Sequence, residues 1–314
     1  MFFFTGFPTG VFSAPWAVPG GSIHDAVNLT NCGPQVIYEI YDRLAAAHPS
    51  HVTKQVMGEV DGQPINRYTF SNFPLENTSS FTVRPFKVCI ITSIHGYEQG
   101  CAWTAAQFFR LMFEDPNDPH LGFLRRNVVF DVIPVANPWG FANNQRKNKN
   151  GVDLNRNYNA WFYGKNPPDS SEYAGPYPGS ETETQVIMDF VKENLDAQVV
   201  LDYHNIGQGY PLFYVYDQKD VQLAASVFTE LTAKWQREYP QFPKDRLLGR
   251  VRPNGHEGML ADYLIQNKLW VLTMETPWRM PDIGAEKYDA PTIRCALDVL
   301  VNTLLTLLWT AKNN

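Results

Sequence analysis

Residues 87–113, KVCIITSIHGYEQGCAWTAAQFFRLMF, determine how the rest of the chain is interpreted. The first eight residues are a continuous apolar run typical of a buried strand, and residues 101–113 carry apolar side chains at helical spacing. Between these two elements stand His95 and Glu98, three positions apart, and both are side chains that bind divalent metal ions. The segment therefore predicts a strand, a turn that could hold a metal ion, and a helix.

The same alternation of strands and helices extends on both sides of this unit. Upstream, a helical pattern from Val36 is ended by Pro49, and two short alternating runs around the turn DGQP, residues 61–64, resemble a hairpin. Downstream, strands are predicted at 127–137, 197–205 and 269–277, and helices at 180–195, 220–239 and 260–268. The pattern predicts an α/β fold: a single domain with a mixed, mostly parallel central sheet flanked by helices on both faces.

Composition excludes two classes of partner. The 314 residues carry a formal net charge of −6 with no basic cluster, so we expect no nucleic-acid partner. We also expect no membrane span, because no apolar stretch reaches about 20 residues without interruption. The nearest candidate, residues 297–309, contains Asp298 and Asn302 and is interpreted as a packed terminal helix. The chain begins without the positive region of a signal peptide, which slightly favours the cytoplasm.

Chemically able side chains follow four of the predicted strands. His95 and Glu98 follow the first, an Arg- and Asn-rich loop follows the second, His204 ends the third and Glu275 ends the fourth. Ligands of open α/β sheets gather at the carboxyl ends of strands, so we expect these groups to lie close together. A histidine at a strand end is more often structural when it stands alone, but four such strand ends favour a site.

The spacing of the first three groups suits a catalytic metal. Two ligands close in sequence, a remote third ligand and an open position are the usual pattern of catalytic zinc. His204, 109 residues after His95, is the obvious third ligand. Glu275 could instead cap a turn before Pro277, but the preceding run LWVLTM is long enough for a central strand, which favours a catalytic carboxylate.

The segment NPWGFANNQRKNKNGVDLNRNYN, residues 137–159, concentrates positive charge in an acidic chain. Arginine forks suit carboxylates and developing oxyanions, although composition alone is equally typical of a solvated loop. The polar stretch 138–179 is too long for a passive connection, which indicates a functional surface.

Together, HGYE, NPWGF…QRKN…GVDLNRNYN, DYHN and LTMETP resemble the zinc carboxypeptidase family, the carboxypeptidase A-like metallopeptidases. The similarity extends from about Val36 to the C-terminus, and YEIYDRLAAAHPS with GEVDGQPI resembles the family's entry helix and first hairpin. The resemblance divides the chain into an aromatic, Pro- and Gly-rich arm, residues 1–35, and a zinc carboxypeptidase-like catalytic domain, residues 36–314.

The resemblance implies a zinc-dependent metallocarboxypeptidase that hydrolyses the C-terminal peptide bond of a peptide, such as a cell-wall peptide in a bacterium. It implies one Zn²⁺ per chain, with a water molecule activated by the metal and by a glutamate base. The substrate would be a peptide with a free C-terminal carboxylate. The implied metal ligands are His95, Glu98 and His204.

The other implied roles concern catalysis and substrate binding. Glu275 would be the general base, and Arg146 would stabilise the tetrahedral oxyanion. Asn155 and Arg156 would bind the terminal carboxylate, which makes the enzyme an exopeptidase. Asp153 would accept a hydrogen bond from His95 and orient it.

The chain departs from the family in the loop GRVRPNGHEGMLADY, which lacks the family's mobile tyrosine. His256 lies nearest the missing hydroxyl and could donate in its place, although a solvated loop histidine is the more common case. Unchanged kcat and KM in His256→Ala would exclude that role. Ala261 brings no charge to the pocket for the terminal side chain, so no anionic partner for a basic residue is apparent, whereas Arg250 or Arg252 could favour an acidic one.

Two alternatives remain open on the sequence. A deacylase of the desuccinylase/aspartoacylase kind, cleaving small acyl-amino acids, shares the H-x-x-E pair and the remote histidine. A catalytically silent carboxylate-binding module would share the loop. The complete GVDLNRN string favours the peptidases over the first, and the retention of three ligands with Glu275 disfavours the second.

Overall fold

The computed structural model describes residues 32–72, 85–115, 117–207, 209–241, 249–251, 257–281, 284 and 287–313. Within these residues the chain forms eight α-helices and one eight-stranded sheet. The strands are β1 (Val52–Val60), β2 (Gln63–Phe70), β3 (Phe86–Thr92), β4 (Val128–Ile133), β5 (Val199–Ile206), β6 (Leu212–Val215), β7 (Gly249–Val251) and β8 (Val271–Pro277). The helices are α1 (Gln35–Ala47), α2 (Gln99–Glu114), α3 (Pro119–Asn127), α4 (Pro138–Ala142), α5 (Thr182–Glu193), α6 (Gln218–Glu238), α7 (Leu260–Gln266) and α8 (Ala290–Asn313).

The sheet is mixed, with a parallel centre. Its strand order is β1-β2-β4-β3-β5-β8-β6-β7. The four adjacent strands β4, β3, β5 and β8 are mutually parallel, whereas β2 runs antiparallel to β4 and β6 runs antiparallel to β8. Because the central four strands share one direction, their carboxyl ends meet at one edge. The predicted fold class is confirmed.

Strand β3 separates two hydrophobic cores. Val88 and Ile90 belong to one core and Cys89 and Ile91 to the other, and each of these side chains is at most 1% exposed. Because successive residues of a strand face opposite sides, a continuous apolar run is required when both faces are covered. The first core packs under α1, α2, α6 and α8, and the second packs under α5 and α7.

The predicted hairpin is present as β1 and β2. Asp61 and Gly62 form its turn with φ of 54° and 73°, the left-handed values of the tight turns that match the twist of paired strands. The predicted division at residue 35 stays a prediction, since residues 1–31 lie outside the described part.

Four elements were not predicted from the sequence, and one of them is the short helix α4, which lies in the segment predicted as a polar loop. Helix α3 has a local signal, since the Asp118 carboxylate accepts hydrogen bonds from the backbone of His120 and Leu121 and Pro119 occupies the first turn. The short strands β6 and β7 have four and three residues, too few for an alternating pattern to be recognised.

Helix α8 corrects one expectation about membranes. Residues 290–310 are long and apolar enough to cross a bilayer by length and hydropathy, contrary to the view that no stretch would be. In the fold, 83% of its most apolar window is buried. The helix packs as the terminal core helix that the sequence predicted.

A buried ion pair joins α8 to α6. Lys234 donates to the carboxylate of Asp298, whose side chain is fully buried, and the Trp235 indole nitrogen donates to the same oxygen at 3.0 Å. Burial raises the pKa of Asp298, and the lysine opposes that rise. Removing one partner of a buried pair leaves an uncompensated charge in the core.

We therefore expect Lys234→Met to lower the free energy of unfolding by about 3–5 kcal/mol, measured by denaturant titration. The matched control is Lys192→Met, because Lys192 pairs with Asp189 at 2.8 Å on the surface. An exposed pair contributes about 1 kcal/mol or less, so this control should change stability little. Equal losses in the two variants would mean that the buried pair is not structurally important.

Candidate metal centre and active site

Three strands bring the candidate metal ligands together. His95 and Glu98 stand in the turn between β3 and α2, and His204 lies on β5, which pairs with β3. Glu275 on β8 is the direct register partner of His204. Side chains at paired positions of neighbouring strands face the same side, so this carboxylate lies beside the histidine.

The ligand atoms of His95, Glu98 and His204 converge on one point. All of them lie within 4.8 Å of one another, and all three residues are buried. His95 Nδ1 is 2.9 Å from Glu98 Oε1, and His204 Nδ1 is 2.8 Å from Glu98 Oε2. Each histidine thus turns the same ring nitrogen toward the carboxylate, which is the arrangement that a shared cation requires.

An aspartate contacts the outer nitrogen of each histidine. His95 Nε2 is 3.2 Å from Asp153 Oδ1, and His204 Nε2 is 2.8 Å from Asp202 Oδ1. A ring N–H donated to a carboxylate leaves the other nitrogen free as a lone-pair donor, which is how metal-binding histidines are oriented. A metal ion bound at the two inner nitrogens would therefore leave each outer N–H paired with an aspartate.

The cluster concentrates negative charge around two imidazoles. Burial alone would raise the pKa of Glu98, but the two flanking histidines outweigh it and hold that pKa below its usual range. Burial likewise acts to lower the pKa of His95, and the neighbouring carboxylates of Glu98 and Asp153 raise it instead. The site favours positive charge, and two imidazole nitrogens with a carboxylate form a donor set suited to zinc.

A close backbone approach fixes the metal-binding turn. A Cβ atom on Gly96 would lie 2.0 Å from the backbone carbon of Gly140 at the start of the polar loop. The Asn137 side chain accepts from the Gly140 backbone at 2.8 Å and so closes the short helix α4. Glycine at position 96 lets the ligand turn and α4 pack directly against each other.

Arg146 lies beside the metal ligands. Its Nε and Nη2 donate to Asp153 Oδ2 at 3.0 and 2.8 Å, and its Nη1 is 3.4 Å from His95 Nδ1. Burial acts to lower the pKa of Arg146. The negative charge of Asp153 outweighs this effect and raises the pKa, so the guanidinium stays cationic. A fixed cation thus stands next to the metal position.

Asn155 and Arg156 form a short 3₁₀ turn that begins after Asp153. The Asn155 backbone donates to Asp153 Oδ1 at 3.0 Å, and its side-chain oxygen accepts from the Leu260 backbone at 2.9 Å. Arg156 donates through Nη2 to Glu172 at 2.6 Å, and its Nη2 is 3.3 Å from Glu257. The guanidinium already holds two carboxylates at the rim of the site.

All these groups surround one cavity of about 130 Å³. It is lined by His95, Glu98, Arg146, Asn155, Arg156, Asp202, His204, Tyr214, Tyr216, Met259, Thr273 and Glu275. Burial raises the pKa of Glu275 to about 7, which the nearby His204 partly opposes. A carboxylate with this pKa exchanges protons readily near neutral pH.

The structure therefore brings together every predicted site residue that it describes. His256, Arg252 and the side chain of Arg250 lie outside the described part of the chain. Tyr263 stacks on Tyr158 with ring centroids 5.8 Å apart and is 5% exposed, as expected for a structural residue.

Asp202 is the residue that the sequence analysis missed. It stands in the motif DYHN, two positions before His204, and the sequence pattern alone assigned it no role. Residues two apart on a strand share a face, so an aspartate preceding a histidine in this way lies beside it. A charged residue inside an otherwise buried strand was the available signal.

Sequence comparison assigns the chain to a class of protein. The central parallel strands of this α/β fold carry a buried His, Glu and His set that could hold a metal ion. Residues 37–265 match the family Peptidase_M14, zinc carboxypeptidase. Because this match covers more than half of the chain, the protein belongs to the zinc carboxypeptidase family.

The chain is also similar in sequence to curated carboxypeptidases. Carboxypeptidase A1 of Rattus norvegicus is 31% identical over 223 residues, which are 63% of this chain and 51% of the rat protein. Carboxypeptidase A4 of Mus musculus is 28% identical over 196 residues, which are 55% of this chain and 44% of the mouse protein. The chain spans about half the length of the curated relatives it matches.

Solved structures share the fold. Carboxypeptidase A from Helicoverpa armigera matches with a TM-score of 0.66 at 19% identity, covering 88% of this chain and 74% of that one. Bovine thrombin-activatable fibrinolysis inhibitor in complex with tick carboxypeptidase inhibitor matches with a TM-score of 0.63 at 20% identity, covering 90% and 99%.

We expect Asp202→Ala to weaken zinc binding about 10- to 100-fold, because His204 loses the acceptor that orients it. Asp202→Asn, which keeps an acceptor oxygen, should weaken binding less. Competition with a chelator of known affinity measures both. Asp189→Ala removes a surface aspartate and is the control. If Asp202→Ala bound zinc as tightly as this control, the contact between Asp202 and His204 would not contribute to zinc binding.

Proposed function

We propose that this chain is a zinc-dependent metallocarboxypeptidase that removes the C-terminal residue of a peptide. The observation that carries the proposal is the meeting of a His, Glu and His donor set with Glu275 and two arginines around one cavity. Membership of the zinc carboxypeptidase family supports it.

Zinc, when bound by His95, Glu98 and His204, supplies a Lewis acid that polarises a carbonyl group and makes water more acidic. The chain's own residues would hold and orient it. Glu98 receives a backbone hydrogen bond from Asn205 at 3.1 Å, which fixes the carboxylate between the two histidines. The aspartates behind the histidines would accept the outer N–H groups and leave the inner nitrogens to the metal ion.

Glu275 is the proposed general base. It lies next to His204 in the sheet register and opens onto the cavity, so it can accept a proton from the attacking water. The same carboxyl group can then donate that proton to the leaving amine nitrogen. Burial raises the pKa of this carboxyl group and a bound cation lowers it again, so the group can be ionised at neutral pH when it accepts the proton.

Arg146 is proposed to stabilise the negative charge that develops on the scissile carbonyl oxygen. Its guanidinium is fixed by Asp153 through two hydrogen bonds, so it does not need to reorganise when charge develops. Preorganised positive charge of this kind is a large contributor to catalysis.

Asn155 and Arg156 are proposed to bind the terminal carboxylate of the substrate. Arginine recognises carboxylates through paired N–H groups, and Arg156 already contacts the carboxylate of Glu172 at 2.6 Å. A peptide whose carboxylate takes the place of such a rim carboxylate would be positioned with its last peptide bond near Glu275. Bacterial cell-wall peptides are one substrate class of this kind.

Hydrolysis of a blocked dipeptide, abolished by a chelator and restored by zinc, is the direct test. A succinyl amino acid assayed in parallel separates the peptidase from the deacylase alternative, which the family match does not favour. A protein that binds the peptide without hydrolysing it at any zinc concentration would refute the enzyme proposal.

Glu275→Gln should keep stoichiometric zinc and lose most of its turnover, because an amide cannot accept the proton. In the parent, kcat/KM should fall as pH decreases and Glu275 becomes protonated. A bound cation lowers this carboxyl pKa below about 7, so we place the acidic limb below pH 7. A variant with full zinc and parental turnover would remove Glu275 from the mechanism.

Arg156→Ala should raise KM for substrates with a free terminal carboxylate by more than about tenfold, since a charge-assisted contact is lost. The comparison is the same peptide with an amidated C-terminus, which the parent should cleave poorly. Lys147→Ala, in the same loop but outside the cavity lining, is the matched control. Equal parental rates on free and amidated peptides would exclude an exopeptidase.

A further inference from the structure

The cavity has a polar floor that the proposed catalytic steps do not use. Asp202 on β5 pairs in register with Thr273 on β8, two residues before the pair His204 and Glu275 along each strand. Thr273 Oγ1 donates to Asp202 Oδ2 at 3.1 Å, and Tyr216 OH lies 2.8 Å from Thr273 Oγ1. These three side chains form a connected hydrogen-bonded surface inside the cavity.

Asp202 differs from the other charged side chains of the cavity in its ion-pair partners. Arg146 is matched by Asp153, and Arg156 is matched by rim glutamates. Among the side chains that the structure describes, Asp202 has no lysine or arginine within ion-pair distance; its partner is His204. The Asp202 carboxylate lines the cavity, and its other partner is the uncharged hydroxyl of Thr273.

Distance along the sheet fits a long side chain. Two residues of a strand span about 6.6 Å, so Asp202 lies about that far below the level of His204 and Glu275. An extended side chain of four methylene groups and an ammonium has a similar reach. A terminal residue held by Arg156 near the level of Glu275 can therefore place its side-chain end at the floor.

We propose that Asp202, with Thr273 and Tyr216, makes this enzyme prefer a C-terminal residue with a cationic, hydrogen-bond-donating side chain of about lysine length. The inference rests on the proposed carboxypeptidase function. An apolar terminal side chain would cover the carboxylate and hydroxyl oxygens without replacing their contacts with water, which is unfavourable. An ammonium group instead supplies hydrogen-bond donors and a positive charge that attracts the carboxylate.

An acidic terminal residue carries the charge opposite to that of lysine and would be repelled by Asp202. A glutamate substrate therefore belongs in the test.

The experiment compares blocked dipeptides that differ in the C-terminal residue: lysine, norleucine, glutamate and phenylalanine, at saturating zinc. Norleucine matches the methylene chain of lysine without the ammonium. We expect kcat/KM for lysine to exceed that for norleucine by at least about tenfold, because a site with buried polar groups rejects a side chain that cannot pair with them.

Asp202→Asn tests the residue itself. The amide oxygen can still accept from His204 while Thr273 turns to accept from the amide, so the geometry is kept and the charge is lost. The ratio of lysine to norleucine should fall toward one. Glu172→Gln is the matched control, since it removes a carboxylate charge at the rim and should leave the ratio unchanged.

The outcomes separate the two proposals. Release of norleucine, glutamate or phenylalanine as fast as lysine would overturn the preference and leave the carboxypeptidase function standing. No release from any substrate would overturn the function and this inference with it. Inhibition of the parent by free L-lysine against L-norleucine gives the same answer without a variant, and equal inhibition would contradict the proposal.

Discussion

The structure depends on a cluster of carboxylates packed around two imidazoles at the end of a buried sheet. The carboxylates are Glu98, Asp153, Asp202 and Glu275, and the imidazoles are His95 and His204. Burying this much negative charge is unfavourable unless cations and hydrogen bonds compensate for it. Each carboxylate oxygen of Glu98 faces one histidine, and each histidine has an aspartate behind it. Positive charge at the centre of this cluster compensates for the negative charge of the buried carboxylates.

The parallel sheet is what makes such a cluster possible. Its four central strands end at one edge, so residues far apart in sequence reach the same point without long side chains. The turn after β3 is held down by the contact of Gly96 with Gly140, which leaves no room for a side chain. Backbone packing, and not the ligands themselves, sets the distance between the turn and the loop that carries Arg146. The geometry of the site therefore depends on the tight packing of the scaffold.

The sequence predicted the parts whose signals are periodic or chemically distinctive. Strand β3 and helix α2 lie where the buried run and the helical spacing predict them, and the turn between them carries the ligand pair. Strands β6 and β7 escaped prediction because three or four residues carry too little pattern, and their place in the sheet is set by tertiary pairing. Asp202 escaped for a different reason: its significance lies in what stands beside it across the sheet, which only register reveals.

One carboxylate, Asp202, links the metal centre to the cavity floor. Its two oxygens contact different residues: Oδ1 lies beside His204, and Oδ2 accepts a hydrogen bond from Thr273. On the proposed function, the terminal side chain of the substrate would pack against the same group that orients a metal ligand. Selectivity and metal affinity in this chain are then not independent properties. A change at the floor that alters the charge or position of this aspartate also alters how His204 presents its lone pair, whereas a change at the rim near Arg156 does not.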